Sequence, residues 1–125
     1  MDEKDRFNAG MQTRRAVLGD AHVDKTNASI TPFNAEFQDL ITRYAWGEIW
    51  SRPGLSRPTR SLLTIAMLVA LHHWDELRIH LRAASNNGVT PDEIQETLLQ
   101  CAIYCGLPAA NHAFRLAGEV AESDS

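Results

Sequence analysis

Pro58-Thr-Arg-Ser-Leu-Leu-Thr-Ile-Ala-Met-Leu-Val-Ala-Leu71 decides the fold class. Leu62, Leu63, Ile65, Ala66, Leu68, Val69 and Ala70 cover nearly every face of a helix, and a helix that is apolar all round lies at the centre of a core or in a subunit interface. The run is well short of the ~20 residues that span a bilayer, so it reads as a buried helix. Outward from it the chain reads as more helices. Downstream, apolar density falls at His72-His-Trp-Asp75, which predicts a break before a helix from about Asp75 to Asn86, closed by Asn87-Gly88. Thr90-Pro91-Asp92-Glu93 is a capping box with Pro at the first helical position. The helix it opens runs to Cys105 and stops at Gly106, and Leu107-Pro108 links it to a last helix from about Ala109 to Ala121.

Upstream, a helix from about Lys4 to Leu18 is stopped by Gly19, and Asp20 to Ser29 reads as a polar connection. Thr31-Pro32 opens a helix with Phe33, Phe37, Leu40, Ile41 and Tyr44 at helical spacing, ending near Trp50. Arg52 to Pro58 is a turn-rich loop. The expectation is all-α: one domain over residues 1–125, a bundle of about six helices, with no internal repeat.

Composition narrows the function. With 44% apolar and 22% charged residues over 125 positions the chain is ordinary globular protein, and a net charge of −4 predicts neither a nucleic-acid nor an anionic-membrane partner. The opening Met-Asp-Glu-Lys-Asp-Arg carries no apolar stretch, so no secretory signal is expected. Cys101 and Cys105 stand four apart in a helical pattern, poorly placed for a disulfide and unlike a C-x-x-C redox pair. Two small core residues in a reducing cytoplasm are expected.

The candidate site begins at Tyr44-Ala-Trp-Gly-Glu-Ile-Trp-Ser-Arg-Pro-Gly-Leu-Ser-Arg57. Trp46, Glu48, Trp50, Arg52 and Arg57 crowd a Pro-Gly turn, as a pocket for a small anion requires. On an acidic chain such an anion must be captured by a local arginine cluster. Arg43, Arg52, Arg57 and Arg60 bracket this segment, and Arg78 and Arg82 flank His80; guanidinium groups grip carboxylates bidentately, although most arginines of a helical protein simply face water. His80 follows Glu76 by one turn, so a carboxylate can orient one imidazole nitrogen and leave the other to move a proton near neutral pH. An ordinary surface ion pair is the plainer reading of that spacing. His73, Glu76 and His80 would share a face on an unbroken helix, but the break near Trp74 and the lack of further ligands argue against a metal. Packing is the plainer reading of Trp46, Trp50 and Tyr104.

Arg14-Arg-Ala-Val-Leu-Gly-Asp-Ala-His-Val-Asp24, Ile41-Thr-Arg-Tyr-Ala-Trp-Gly-Glu-Ile-Trp50, Arg52-Pro-Gly-Leu-Ser-Arg57, Ile79-His-Leu-Arg-Ala-Ala84, Asn86-Asn-Gly-Val-Thr90 and Ile103-Tyr-Cys-Gly-Leu-Pro-Ala-Ala110 together resemble the carboxymuconolactone decarboxylase family. The resemblance implies the all-helical alkylhydroperoxidase D-like fold, assembled as a homo-oligomer, a hexamer. It also implies cofactor-free decarboxylation of 4-carboxymuconolactone, a small lactone dicarboxylate, to 3-oxoadipate enol-lactone and carbon dioxide, in the protocatechuate branch of the β-ketoadipate pathway. On that chemistry Arg52 or Arg57 holds the acetate arm, and Trp46, Tyr104 or a second arginine donates to the developing dienolate oxygen. Protonated His80 supplies the proton. Glu48 tunes His80, positions a water or repels the leaving carboxylate. The peroxidase branch of the superfamily carries a C-x-x-C one turn before its histidine, where this chain has His73-Trp-Asp-Glu76. Two alternatives remain at this level, a thiol peroxidase and a non-catalytic oligomeric binding domain.

Overall fold

A computed structural model describes residues 1–123, which fall into two compact units divided between Ser56 and Arg57. In the first unit, α1 (Glu3–Leu18) and α2 (Asp20–Ala28) are followed by α3 (Ala35–Leu40), which continues into a π-helical stretch, Ile41–Trp50. In the second, α4 (Arg57–Ala70), α5 (Trp74–Ala83), a 3₁₀ turn (Ala84–Asn87), α6 (Pro91–Tyr104) and α7 (Leu107–Ser123) follow one another. Among the described residues there are seven α-helices and no strand, so the all-α class stands. None of these helices is long and apolar enough to cross a membrane.

The first unit is organised by glycine. α1 lies against the π-helical stretch so closely that a Cβ on Gly10 would sit 1.9 Å from the Thr42 carbonyl oxygen, and one on Gly47 would sit 2.5 Å from the Arg6 carbonyl oxygen. Both neighbours are backbone, which cannot swing aside. The approach lets the first turn of α1 staple itself to the facing stretch: Arg43 donates to Glu3 at 2.8 Å, and the Tyr44 hydroxyl donates to the same carboxylate at 3.1 Å. The guanidinium groups of Arg6 and Arg43 stand 5.4 and 5.1 Å from the Tyr44 ring centre.

Two expectations fail in this unit. Asp20 to Ser29 is a helix, not a connection, apart from its last residue. Its only buried residue is Val23, so it shows no apolar stripe to read; it is fastened instead by Arg15, which pairs with Asp20 at 3.1 Å and Asp24 at 2.8 Å. Gly19 separates the two helices at φ 91°, a conformation costly for any residue with a Cβ. The next helix begins at Ala35, not at Thr31-Pro32. The Asn34 side chain accepts the Thr31 N–H at 2.8 Å and closes a turn there, leaving Phe33 outside the helix and 99% exposed.

In the second unit the apolar helix is buried on one face and not all round, with Ile65 and Val69 of α4 joining Leu77 and Leu81 of α5, Leu98 of α6 and Leu116 of α7, while Leu63 and Met67 lie exposed. Each fully buried aliphatic side chain contributes about 1.5–3 kcal/mol. The break after α4 falls where the apolar density drops: His72 takes φ 60° and His73 caps α5. Trp74 pins the break, its ring stacked on His112 of α7 at 4.1 Å and on His72 at 5.3 Å. The Thr90 capping box is complete, with Glu93 N–H donating to Thr90 Oγ1 at 3.2 Å and Thr90 N–H donating to Glu93 Oε1 at 2.9 Å. The 107–108 link is instead the first turn of α7.

Alanine in place of a helical glycine ordinarily adds about 1 kcal/mol of stability. Gly10→Ala reverses that sign, because the backbone clash outweighs propensity, and is expected to cost about 3 kcal/mol. A urea midpoint at or above that of the parent would refute the close approach.

Candidate active site

Glu48 projects from the π-helical stretch toward α1, where Arg6 Nη1 donates to its Oε2. Arg52, one turn on, donates from Nη1 to Oε1 at 3.1 Å. Glu48 hydrogen bonding, more than any other influence, raises the pKa of Arg6. Arg6, Gly47, Glu48, Ser51 and Arg52 line a cavity of about 390 Å³. The two arginines differ in freedom. Arg6 is mostly covered, whereas the Arg52 side chain is exposed, and an exposed ion pair contributes at most about 1 kcal/mol. Arg52 is therefore the more accessible of the two guanidinium groups on Glu48, and Arg6 the more firmly placed. Trp46 is buried and stacks on Trp50 at 5.1 Å, and its carbonyl accepts from Ser51 Oγ at 2.7 Å. The structure thus brings Glu48 and Arg52 together and adds Arg6, which the spacing of the sequence could not reveal because it lies 42 residues from its partner.

The remaining candidates lie in the second unit, on three different helices. Arg57 is the exposed first residue of α4, His80 is half-buried on α5, and Tyr104 ends α6 with 81% of its surface exposed. Tyr104 shares a cavity of about 420 Å³ with Cys101 and Cys105. Among the described residues no three of His, Cys, Asp and Glu are gathered to hold a metal ion, and His73 sits outside α5 as its cap, so it does not continue the face of Glu76 and His80. Two buried polar atoms here were given no role in the sequence reading: Ser61 Oγ on α4 and Asn87 Oδ1 on the 3₁₀ turn, which have no hydrogen-bond partner among the described residues. Asn87 belongs to the Asn-Asn-Gly block already quoted; Ser61 gave no signal, being one hydroxyl in an apolar run.

Residues 35–119, which carry Trp46, Glu48, Arg52, Arg57, His80 and Tyr104, match the model of the carboxymuconolactone decarboxylase family. The chain belongs to that family. It is 53% identical over 120 residues to 4-carboxymuconolactone decarboxylase of Acinetobacter baylyi, a match that takes in 96% of this chain and 90% of the relative. It is 46% identical over 107 residues to nitrosuccinic acid decarboxylase of Metarhizium robertsii, covering 86% of this chain and 75% of that one. A 48-residue sequence named 4-carboxymuconolactone decarboxylase from Pseudomonas putida matches along its whole length at 62% identity, over 38% of this chain. Membership of the carboxymuconolactone decarboxylase family brings with it the alkylhydroperoxidase D-like fold, and the helices described above are consistent with it.

The thiols bear on the peroxidase alternative within this superfamily. Burial, aided by the neighbouring Cys105, pushes the Cys101 thiol up to about 11. At pH 8 a group titrating there is ionised to roughly one part in a thousand, and the thiolate is the reactive form. Alkylation of Cys101 by iodoacetamide in the folded protein at pH 8 is therefore expected to be at least about a hundredfold slower than in the denatured chain. Equal rates, followed by mass spectrometry, would restore a reactive thiol.

Proposed function

We propose that this chain is a 4-carboxymuconolactone decarboxylase, a carboxy-lyase that converts the lactone dicarboxylate to 3-oxoadipate enol-lactone and carbon dioxide. What carries the reading is the 53% identity over nearly the full length of both chains to a decarboxylase of that name. The second relative is also named a decarboxylase, of nitrosuccinic acid, which supports loss of carbon dioxide as the shared reaction type.

The substrate explains the residue types. Its leaving carboxylate is attached to the γ carbon of an unsaturated lactone, so the electron pair released with carbon dioxide flows through the double bond to the lactone carbonyl. The substrate is its own electron sink, and the chemistry requires no cofactor. The protein must hold the acetate arm, stabilise the developing dienolate oxygen and protonate the α carbon. Arg52 or Arg57 is assigned the first task; the exposed Arg52–Glu48 pair supports Arg52. Trp46, Tyr104 or a second arginine is assigned the oxygen, and His80 the proton. Glu48 fixes Arg52 until substrate arrives and then stands as a negative charge near the arm, a like-charge influence on the substrate.

The working form is a homo-oligomer, a hexamer, in the cytoplasm, with the whole chain acting as one domain. Exposed large apolar side chains support association: Phe33, Phe37 and Leu40 in the first unit, and Leu63, Met67 and Leu71, a stripe at helical spacing along and just past α4, in the second. Surface of this kind is normally covered. Light scattering at micromolar concentration should show no folded monomer.

Purified protein given 4-carboxymuconolactone should release carbon dioxide, and in deuterated water the trapped product should carry one deuterium at the α carbon. His80→Ala is expected to lose about 10²- to 10⁴-fold in kcat while the fold persists, and Arg52→Ala to act mainly on KM. Turnover should survive a strong chelator and the Cys101→Ser, Cys105→Ser double change. Failure of the parent to decarboxylate the lactone would overturn the activity; a folded His80→Ala within a few-fold of the parent would remove His80 from its role.

A further inference from the structure

The core of the second unit is open on one side. A cavity of about 420 Å³ reaches in between the end of α5, the 3₁₀ turn, α6 and α7, a size within the ~300–1,000 Å³ typical of small-molecule pockets. Its floor is the hydrophobic core itself, since Leu81, Ala84, Val89, Leu98 and Val120 all line it. The polar side chains of the lining are those of Arg82, Ser85 and Gln95, three exposed residues. None of Trp46, Glu48, Arg52, Arg57, His80 and Tyr104 lines this cavity, so it is separate from the candidate active site.

Its charge is simple. Arg82 is the one charged residue of the lining, and its guanidinium has no ion pair or hydrogen bond among the described residues. Arg78, one turn before it, pairs with Glu119 of α7 at 3.1 Å, and neither Glu119 nor Glu122 lines the cavity. An apolar chamber with one uncommitted cation in its lining suits a ligand with an apolar body and a single negative charge. A second charge on that ligand would be buried among aliphatic side chains, which offer it no partner. The lactone dicarboxylate of the decarboxylation is therefore a poor fit. Space is also available on the α7 side: Gly118 lines the cavity, and a Cβ added to it would meet no atom within 4 Å.

We propose that this cavity is a second small-molecule site, for an aliphatic monocarboxylate whose chain lies on Leu81, Val89, Leu98 and Val120 and whose carboxylate is gripped by Arg82. Burial of the chain supplies most of the affinity, and the guanidinium fork selects the anionic head. The inference does not depend on the decarboxylase reading, and its test reads binding, not turnover.

The experiment uses the full chain with octanoate as probe, below the concentration at which it forms micelles. Thermal midpoints and methyl NMR spectra are recorded with dose for the parent, Arg82→Gln and Gly118→Leu. Octanoate is expected to raise the parent midpoint and to shift the methyl signals of Val89 and Ile94, which line the cavity, while leaving those of Val17 and Val23 in the first unit. Octanol, which lacks the charge, and suberate, which adds a second carboxylate to the same chain length, should each bind at least about tenfold more weakly. Arg82→Gln should lose about tenfold in octanoate affinity and bind octanoate and octanol alike. Gly118→Leu fills the open space with a good helix former, so it should fold and ignore octanoate. The proposal is overturned if octanoate leaves the parent unchanged, if it shifts the methyls of both units alike, if suberate binds as tightly, or if Arg82→Gln keeps the parent affinity. It is also overturned if the parent ignores octanoate while Gly118→Leu dissociates the oligomer, because a second copy of the chain then fills the cavity. Should Gly118→Leu not fold, the Arg82→Gln result decides alone.

Discussion

The contact on which the first unit depends is the meeting of two backbones, α1 and the π-helical stretch, at Gly10 and Gly47. Side chains of any size would hold these segments apart, and the polar pairs they carry would then fall out of range. Arg6 reaches Glu48 because its own carbonyl lies against Gly47. Glu3 reaches Arg43 and Tyr44 for the same reason. A few ångströms of extra separation would remove the two-arginine grip on Glu48, leaving that carboxylate with only the exposed and weak Arg52.

The second unit rests on a different principle. Aliphatic side chains from four helices interlock, and the chain is steered between them by a local device, the stack of His72, Trp74 and His112. The left-handed backbone at His72, uncommon for a residue with a side chain, is tolerated where the ring gains this contact. α5 consequently starts at a defined point, with Leu77 and Leu81 turned into the core and His80 left half-buried between them in sequence.

Charge is distributed unevenly between necessity and opportunity. Arg15 and Arg43 each bridge two acids and tie segments together. Arg52 is exposed beside Glu48, and Arg14 is buried with no carboxylate bonded to it among the described residues. One residue type is thus a clamp, an exposed ion-pair partner and a buried charge, and burial and available partners, not identity, separate the three.

Helix starts and stops set by short-range chemistry were legible in the chain itself: the Thr90 box, the break at His72, and the apolar run that became α4. So were the family blocks that carry Glu48, Arg52 and His80, because residue types at short spacing express local chemistry. The helix at Asp20–Ala28 was not legible, since Val23 alone points inward and the ion pairs that fasten it begin on another helix. Phe33 and Phe37 show the converse, apolar residues at helical spacing of which the first lies outside the helix and both lie exposed. The amino-acid order by itself determined the helical class, most helix ends and the chemistry on offer, because capping, periodicity and turn preference act within a few residues. Only the tertiary structure decided that Arg6 holds Glu48, that Gly10 and Gly47 are contact surfaces, and that Arg14 is buried with no carboxylate bonded to it among the described residues, because each depends on groups brought together from positions 24 to 42 residues apart.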